Sequence, residues 1–160
     1  MNIADRKLLD AVNRGDAEAV SEALSAGANP QAVGRDGRVA LMRSALRGDE
    51  ESLRLLLSAG ADPRSADDLG RTCLMYAALG RGRCFSMLLA AGADPSALDS
   101  KGESALAYAA AAQFEPMIHA LLGLGARLAE AQAVWREAEA QGWAGVAAAV
   151  KAWLDFSSRR

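Results

Sequence analysis

One phrase constrains this chain more than any other: Leu55-Leu56-Leu57-Ser58-Ala59-Gly60-Ala61-Asp62-Pro63. An apolar helix end runs into a glycine, then a small residue, an acid and a proline. The same phrase stands at residues 24–30 and 88–95, and a worn copy at 121–127. Its glycines, Gly27, Gly60, Gly92 and Gly125, lie 33, 32 and 33 residues apart. Self-similarity at a fixed period of this size marks stacked repeats. Each unit buries its apolar side on its neighbours, so at least three are needed and the ends must be specialised.

A second glycine follows ten residues later in three copies, as Gly37, Gly70 and Gly102. Helix starts come next: Val39-Ala40-Leu41-Met42, Thr72-Cys73-Leu74-Met75 and Ser104-Ala105-Leu106-Ala107. Together these features resemble the ankyrin repeat family, over roughly residues 4–127 and loosely beyond. The resemblance implies an all-α fold, an ankyrin-repeat solenoid of helix–turn–helix units with short β-hairpin-like fingers. It divides a single domain, 1–160, into an N-terminal cap repeat (4–29), repeats at 30–62, 63–94 and 95–127, and a degenerate C-terminal cap repeat (128–156). The family's motif histidine is missing; Met42, Met75 and Ala107 stand in its place. Apolar packing is therefore expected to replace part of the helix-start hydrogen-bond network. The third repeat is one residue short, and the deletion is assigned to the turn Gly80-Arg81-Gly82, because a loop absorbs it more cheaply than a packed helix.

Local chemistry predicts helices near 5–13, 17–25, 39–46, 50–58, 72–79, 83–90, 104–111, 115–123, 128–140 and 143–156. Asp16 is placed to cap the second. Asp49, Glu50 and Glu51 crowd the start of the fourth, where the helix dipole favours negative charge. Pro116 falls in a first turn, where its missing N–H does no harm.

Composition narrows the setting. The chain has 37 alanines, and its arginines outnumber its lysines 15 to 3, which reads as the bias of a high-GC bacterial genome. A net charge of −2 excludes a globally basic nucleic-acid binder. Cys73 and Cys84 have too few neighbouring ligands for a metal site and read as reduced, buried thiols. Asp5, Arg6, Lys7 and Asp10 interrupt the first eleven residues, against a secretory leader, and no apolar run approaches a membrane span. These features predict a cytoplasmic protein with no membrane partner.

In the ankyrin family the fingertips and inner helices line a concave, pre-formed groove that grips partners. Carried over by position, the groove holds Arg35, Asp36, Arg38, Arg43, Leu46 and Arg47. The next repeat offers Asp68, Leu69, Arg71, Tyr76, Leu79 and Gly80. The one after offers Ser100, Lys101, Glu103, Tyr108, Ala111 and Ala112. Arginine and tyrosine are frequent interface anchors, and arginine pairs bidentately with carboxylates. The expectation is a monomer binding an acidic surface or segment of another protein, such as a toxin or enzyme that it inhibits or assists. The competing reading makes these arginines a solvated face. Asp36, Asp67, Asp68 and Asp99, interspersed on the fingers, would repel phosphates, so no nucleic acid is expected.

The last helix pair supplies an alternative of another class, a structural or self-associating subunit. Val146, Val150, Trp153 and Leu154 recur at helical spacing, and polar groups are few. Trp135, Trp143 and Trp153 are expected to turn inward and close the stack; otherwise an apolar patch remains. Nothing points to an enzyme or a cofactor. His119 is the sole histidine, no nucleophile elbow is present, and Gly80-Arg81-Gly82 and Gly123-Leu124-Gly125 lack the lysine of a phosphate loop.

Overall fold

The computed structural model describes residues 2–80 and 83–159. Ten helices appear among them: α1 (Ile3–Arg14), α2 (Ala17–Ser25), α3 (Ala40–Arg47), α4 (Glu50–Ser58), α5 (Cys73–Gly80), α6 (Cys84–Ala90), α7 (Ala105–Ala111), α8 (Glu115–Gly123), α9 (Leu128–Gln141) and α10 (Ala144–Ser157). All ten predicted helices are present, with ends shifted by a residue or two. Residue contacts divide the chain into two units, Met1–Asp94 and Pro95–Arg160.

The recurrent phrase has a local cause at each position. Gly27, Gly60 and Gly92 take φ of 84°, 91° and 91°, a left-handed conformation that glycine adopts without strain. That reversal lets the next N–H reach back into the helix, as in Ala61 N–H to Leu56 C=O at 3.0 Å. Ala28, Ala61 and Ala93 are buried at the reversal, so the position takes a small side chain. Asn29 and Asp62 then accept from the N–H two residues on, each at 2.9 Å, and turn the chain towards the next finger.

The fingers are tight turns closed by single bridges, Val33 to Val39, Ala66 to Thr72 and Leu98 to Ser104. In the first unit α3 packs on both α1 and α5, while α4 packs on α2 and α6. Leu41, Leu53, Leu56, Leu74 and Leu88 are fully enclosed. In the second unit α7 packs on α8 and α9, and α10 packs on α8 and α9. Met117, Ile118, Val146 and Val150 fill that core.

Helix starts follow the predicted chemistry in part. The Asp16 and Asp49 carboxylates accept from Ala19 N–H at 3.0 Å and Ser52 N–H at 3.1 Å. The missing histidine is handled differently in each copy. Met75 does more than pack: its sulfur accepts the Thr72 N–H at 3.3 Å. Ser104 caps Leu106 N–H at 3.1 Å and donates its hydroxyl to Glu130. No side chain caps α3, which begins on enclosed apolar residues. The deletion assigned to residues 80–82 falls largely outside the described residues; Gly80 itself ends α5.

Between α7 and α8, Gln113 adopts φ of 52° where Gly15 and Gly48 end their helices. A side chain there is strained against the backbone. Gln113→Gly is expected to raise stability by about 0.5 kcal/mol, the relief of strain exceeding the added freedom of the unfolded chain. Urea denaturation of both forms checks it.

Candidate functional site

The finger of residues 66–72 shows how the candidate face is built. Asp67 starts a turn in which Gly70 N–H meets Asp67 C=O at 2.9 Å. Its carboxylate is buried and accepts four bonds: Leu69 N–H at 3.0 Å, Arg71 N–H at 2.9 Å, Arg71 Nε–H at 2.8 Å and Tyr76 O–H at 2.7 Å. Burial alone would raise the Asp67 pKa. The Tyr76 hydroxyl, the Arg71 guanidinium and the two backbone N–H groups outweigh it and hold the acid below the ordinary carboxylate range. Burial first, and the Asp67 carboxylate second, push the Tyr76 phenol up.

The second unit repeats the device. Asp99 accepts Lys101 N–H, Glu103 N–H and Tyr108 O–H, each at 2.9 Å. Burial opposes the charge here too, and the Glu103 N–H, the Tyr108 hydroxyl and Lys101 prevail, so its pKa is lowered. Asp67 and Asp99 are therefore internal fastenings of the fingers. The expectation that they face outward to repel phosphates is corrected; Asp36 and Asp68 alone of the four are exposed.

Residues 34–43 use another solution. Gly34 stands where Asp67 stands one repeat later, and Arg43 where Tyr76 stands. A side chain at Gly34 would collide with the Arg43 guanidinium. Arg43 occupies that space, paired with Asp36 and donating to Asn13 Oδ1 at 2.7 Å. Its side chain is 16% exposed. Arg47 lies over Gly15 and donates to the Arg14 carbonyl at 3.3 Å, which satisfies the end of α1. These two arginines join the first two repeats to each other.

Tyr76 is not the open groove residue expected of it. It is 2% exposed, because the Arg38 and Arg71 guanidiniums cover its ring at 5.0 and 5.2 Å from the centroid. Cation–π contact of this kind fixes the arginine planes. Arg38 comes from one finger and Arg71 from the next, so Tyr76 ties two fingers together. Among the described residues no hydrogen bond engages the Arg38 guanidinium, whose Nε is enclosed and forms an ion pair with Asp36 Oδ2 at 3.6 Å. Arg35, Asp68 and Leu69 are exposed on the finger turns, and Leu79 is 46% exposed at the end of α5. In the second unit Lys101 is exposed and Tyr108 half-buried.

Among the described residues no group of three His, Cys, Asp or Glu could hold a metal ion. Burial pushes the Cys73 thiol up to about 12 and Cys84 to about 11, far from a reactive thiolate. Residues 8–99 match the family model described as ankyrin repeats, in three copies. The chain belongs to the ankyrin repeat family. No curated protein matches it. Ankyrin repeats are generic protein–protein interaction modules, and the family is typically non-catalytic. No helix is long and apolar enough to cross a membrane, among the described residues.

The sequence reading missed Arg6. It is exposed on α1, and helical spacing places Arg6, Asp10 and Asn13 on one side of that helix, a signal available without coordinates. The tryptophans are neither enclosed nor free: Trp135, Trp143 and Trp153 are all half-buried, so the expected inward closure is incomplete. The Trp135 Nε1 is enclosed without a hydrogen-bond partner, and Leu128 and Phe156 are more than half exposed.

Proposed function

We propose that this ankyrin repeat chain is a non-catalytic binding module whose finger and inner-helix surface takes an acidic face or segment of a partner protein. The Arg38–Tyr76–Arg71 stack carries the reading. Stacking holds the Arg38 guanidinium in place, with a 3.6 Å ion pair to Asp36 through Nε and no hydrogen bond on its terminal N–H groups among the described residues, so little ordering is lost when a carboxylate arrives. Exposed Leu69 and Leu79 supply apolar contact near that charge, the mixture that interface anchors use. Arg35, Arg47 and Asp68 belong to the same reading as surrounding contacts in the first unit, and Lys101 and Tyr108 hold the repeated finger and inner-helix positions in the second. Arg43, held by Asp36 and Asn13, supports the fold of the face.

The partner we infer is an enzyme or toxin that the chain inhibits or assists in the cytoplasm of a bacterium, without nucleic acid or membrane. The alanine- and arginine-rich composition supports the bacterial part of this setting. Affinity capture from the native cell, followed by mass spectrometry, tests the function. Arg38→Glu is expected to reduce capture at least about tenfold with helical content unchanged. Undiminished capture by that variant contradicts the reading.

A second reading, self-association through α9 and α10, rests on the half-buried tryptophans with exposed Leu128 and Phe156. Light scattering over a range of concentrations separates the two. The binding-module reading expects a constant monomer mass.

A further inference from the structure

An open cleft of about 680 Å³ lies in the first unit between α1 and the finger turn at residues 34–37. Arg6 lines it from α1 and Arg35 from the turn. Both are exposed, and among the described residues neither guanidinium has a hydrogen-bond or ion-pair partner. That separates them from their neighbours. Arg43 is tied to Asp36 and Asn13, and Arg47 to the Arg14 carbonyl. The remaining walls include Leu9 and the half-exposed Val33, with Asp10 the one acid among the lining residues.

We propose that this cleft is a seat for a carboxylate-bearing, extended segment of a partner protein. An acidic side chain is gripped between Arg6 and Arg35, and an adjacent aliphatic side chain rests on Val33. The inference rests on the proposed binding of an acidic protein segment and names where that segment enters. Two guanidiniums from different elements with no internal partner form a charge-assisted fork for a carboxylate. Asp10, one turn from Arg6, discriminates by charge: it repels a doubly charged phosphate more than a single carboxylate. The Arg43–Asp36 pair is already balanced and leaves the free charge to Arg6 and Arg35.

The test is an amide-shift NMR titration of the full chain with a synthetic peptide of Glu, Leu and Gly. A peptide with Gln for Glu and inorganic phosphate serve as comparisons. Saturable shifts clustered at residues 6–13 and 33–36 are expected with the Glu peptide. They weaken as salt rises and are absent with the Gln peptide. The double variant R6Q/R35Q should weaken binding about tenfold, because both positions are exposed and tie nothing together. Glu-peptide shifts centred on Arg38 and Leu79 instead would overturn the cleft while leaving the binding face intact. No shift with the Glu peptide would overturn both. Phosphate binding as tight as the Glu peptide's would assign the cleft to free anions and remove the protein segment.

Discussion

Asp67→Ala is expected to lower the stability of the chain by about 3 kcal/mol, a fall in Tm of about 10 °C. Four hydrogen bonds end on that carboxylate, and two of their donors are side chains. Removing the acceptor leaves the enclosed Tyr76 hydroxyl unpaired and releases Arg71 from its 2.7 Å ion pair. An unsatisfied buried donor costs more than the net worth of the bond it has lost. Asp99→Ala is expected to cost about 2 kcal/mol. That carboxylate has three such donors, and Tyr108 is only half-buried. The same residues set an acid limit. Both carboxyls are held below the ordinary range in the folded protein. Their stabilisation is present above the unfolded carboxyl pKa, about 4, and is lost as pH falls from there through the native values. Denaturant midpoints measured against pH should fall below about pH 4, and the slope should flatten in the double Asp→Ala variant.

Gly80→Ala is expected to cost about 2–3 kcal/mol, far more than glycine replacement in an open helix end. A Cβ at Gly80 would lie 2.7 Å from the Leu46 carbonyl oxygen and closer still to that of Ala45. Both acceptors are backbone, so the clash is relieved only by moving α5 away from α3. That contact holds neighbouring repeats together and positions Leu46 and Leu79. Gly60 is the control. Its added Cβ would meet nothing within 4 Å, so Gly60→Ala carries only the strain of φ 91°, about 1 kcal/mol. Chemical denaturation of the two variants in parallel decides the matter. Equal losses would show that close approach at Gly80 does not limit the packing of α3 on α5.

The parts of the fold legible in the sequence are those in which cause and effect lie close in the chain. Gly27, Gly60, Gly92 and Gly125 announce left-handed helix ends because nothing but local backbone geometry decides them. Asp16 and Asp49 announce helix starts for the same reason. The candidate surface was less legible because its chemistry depends on pairs brought together by folding. Asp67 looks like an exposed acid until Tyr76, nine residues on, closes over it. Arg43 looks like a free cation until the space left by Gly34 places it on Asp36. Tyr76 looks like an anchor until arginines from two successive fingers cover its ring. Arg6 escaped because the repeat comparison supplies no finger position for α1, although its helical spacing from Asp10 and Asn13 was readable.

Hydrogen–deuterium exchange on the chain, alone and with its captured partner, tests the binding face most directly. Slowed exchange at residues 33–39 and 66–72, together with the ends of α3 and α5, is the predicted footprint. Protection confined to α9 and α10, with both fingers exchanging as freely as in the isolated chain, would contradict it.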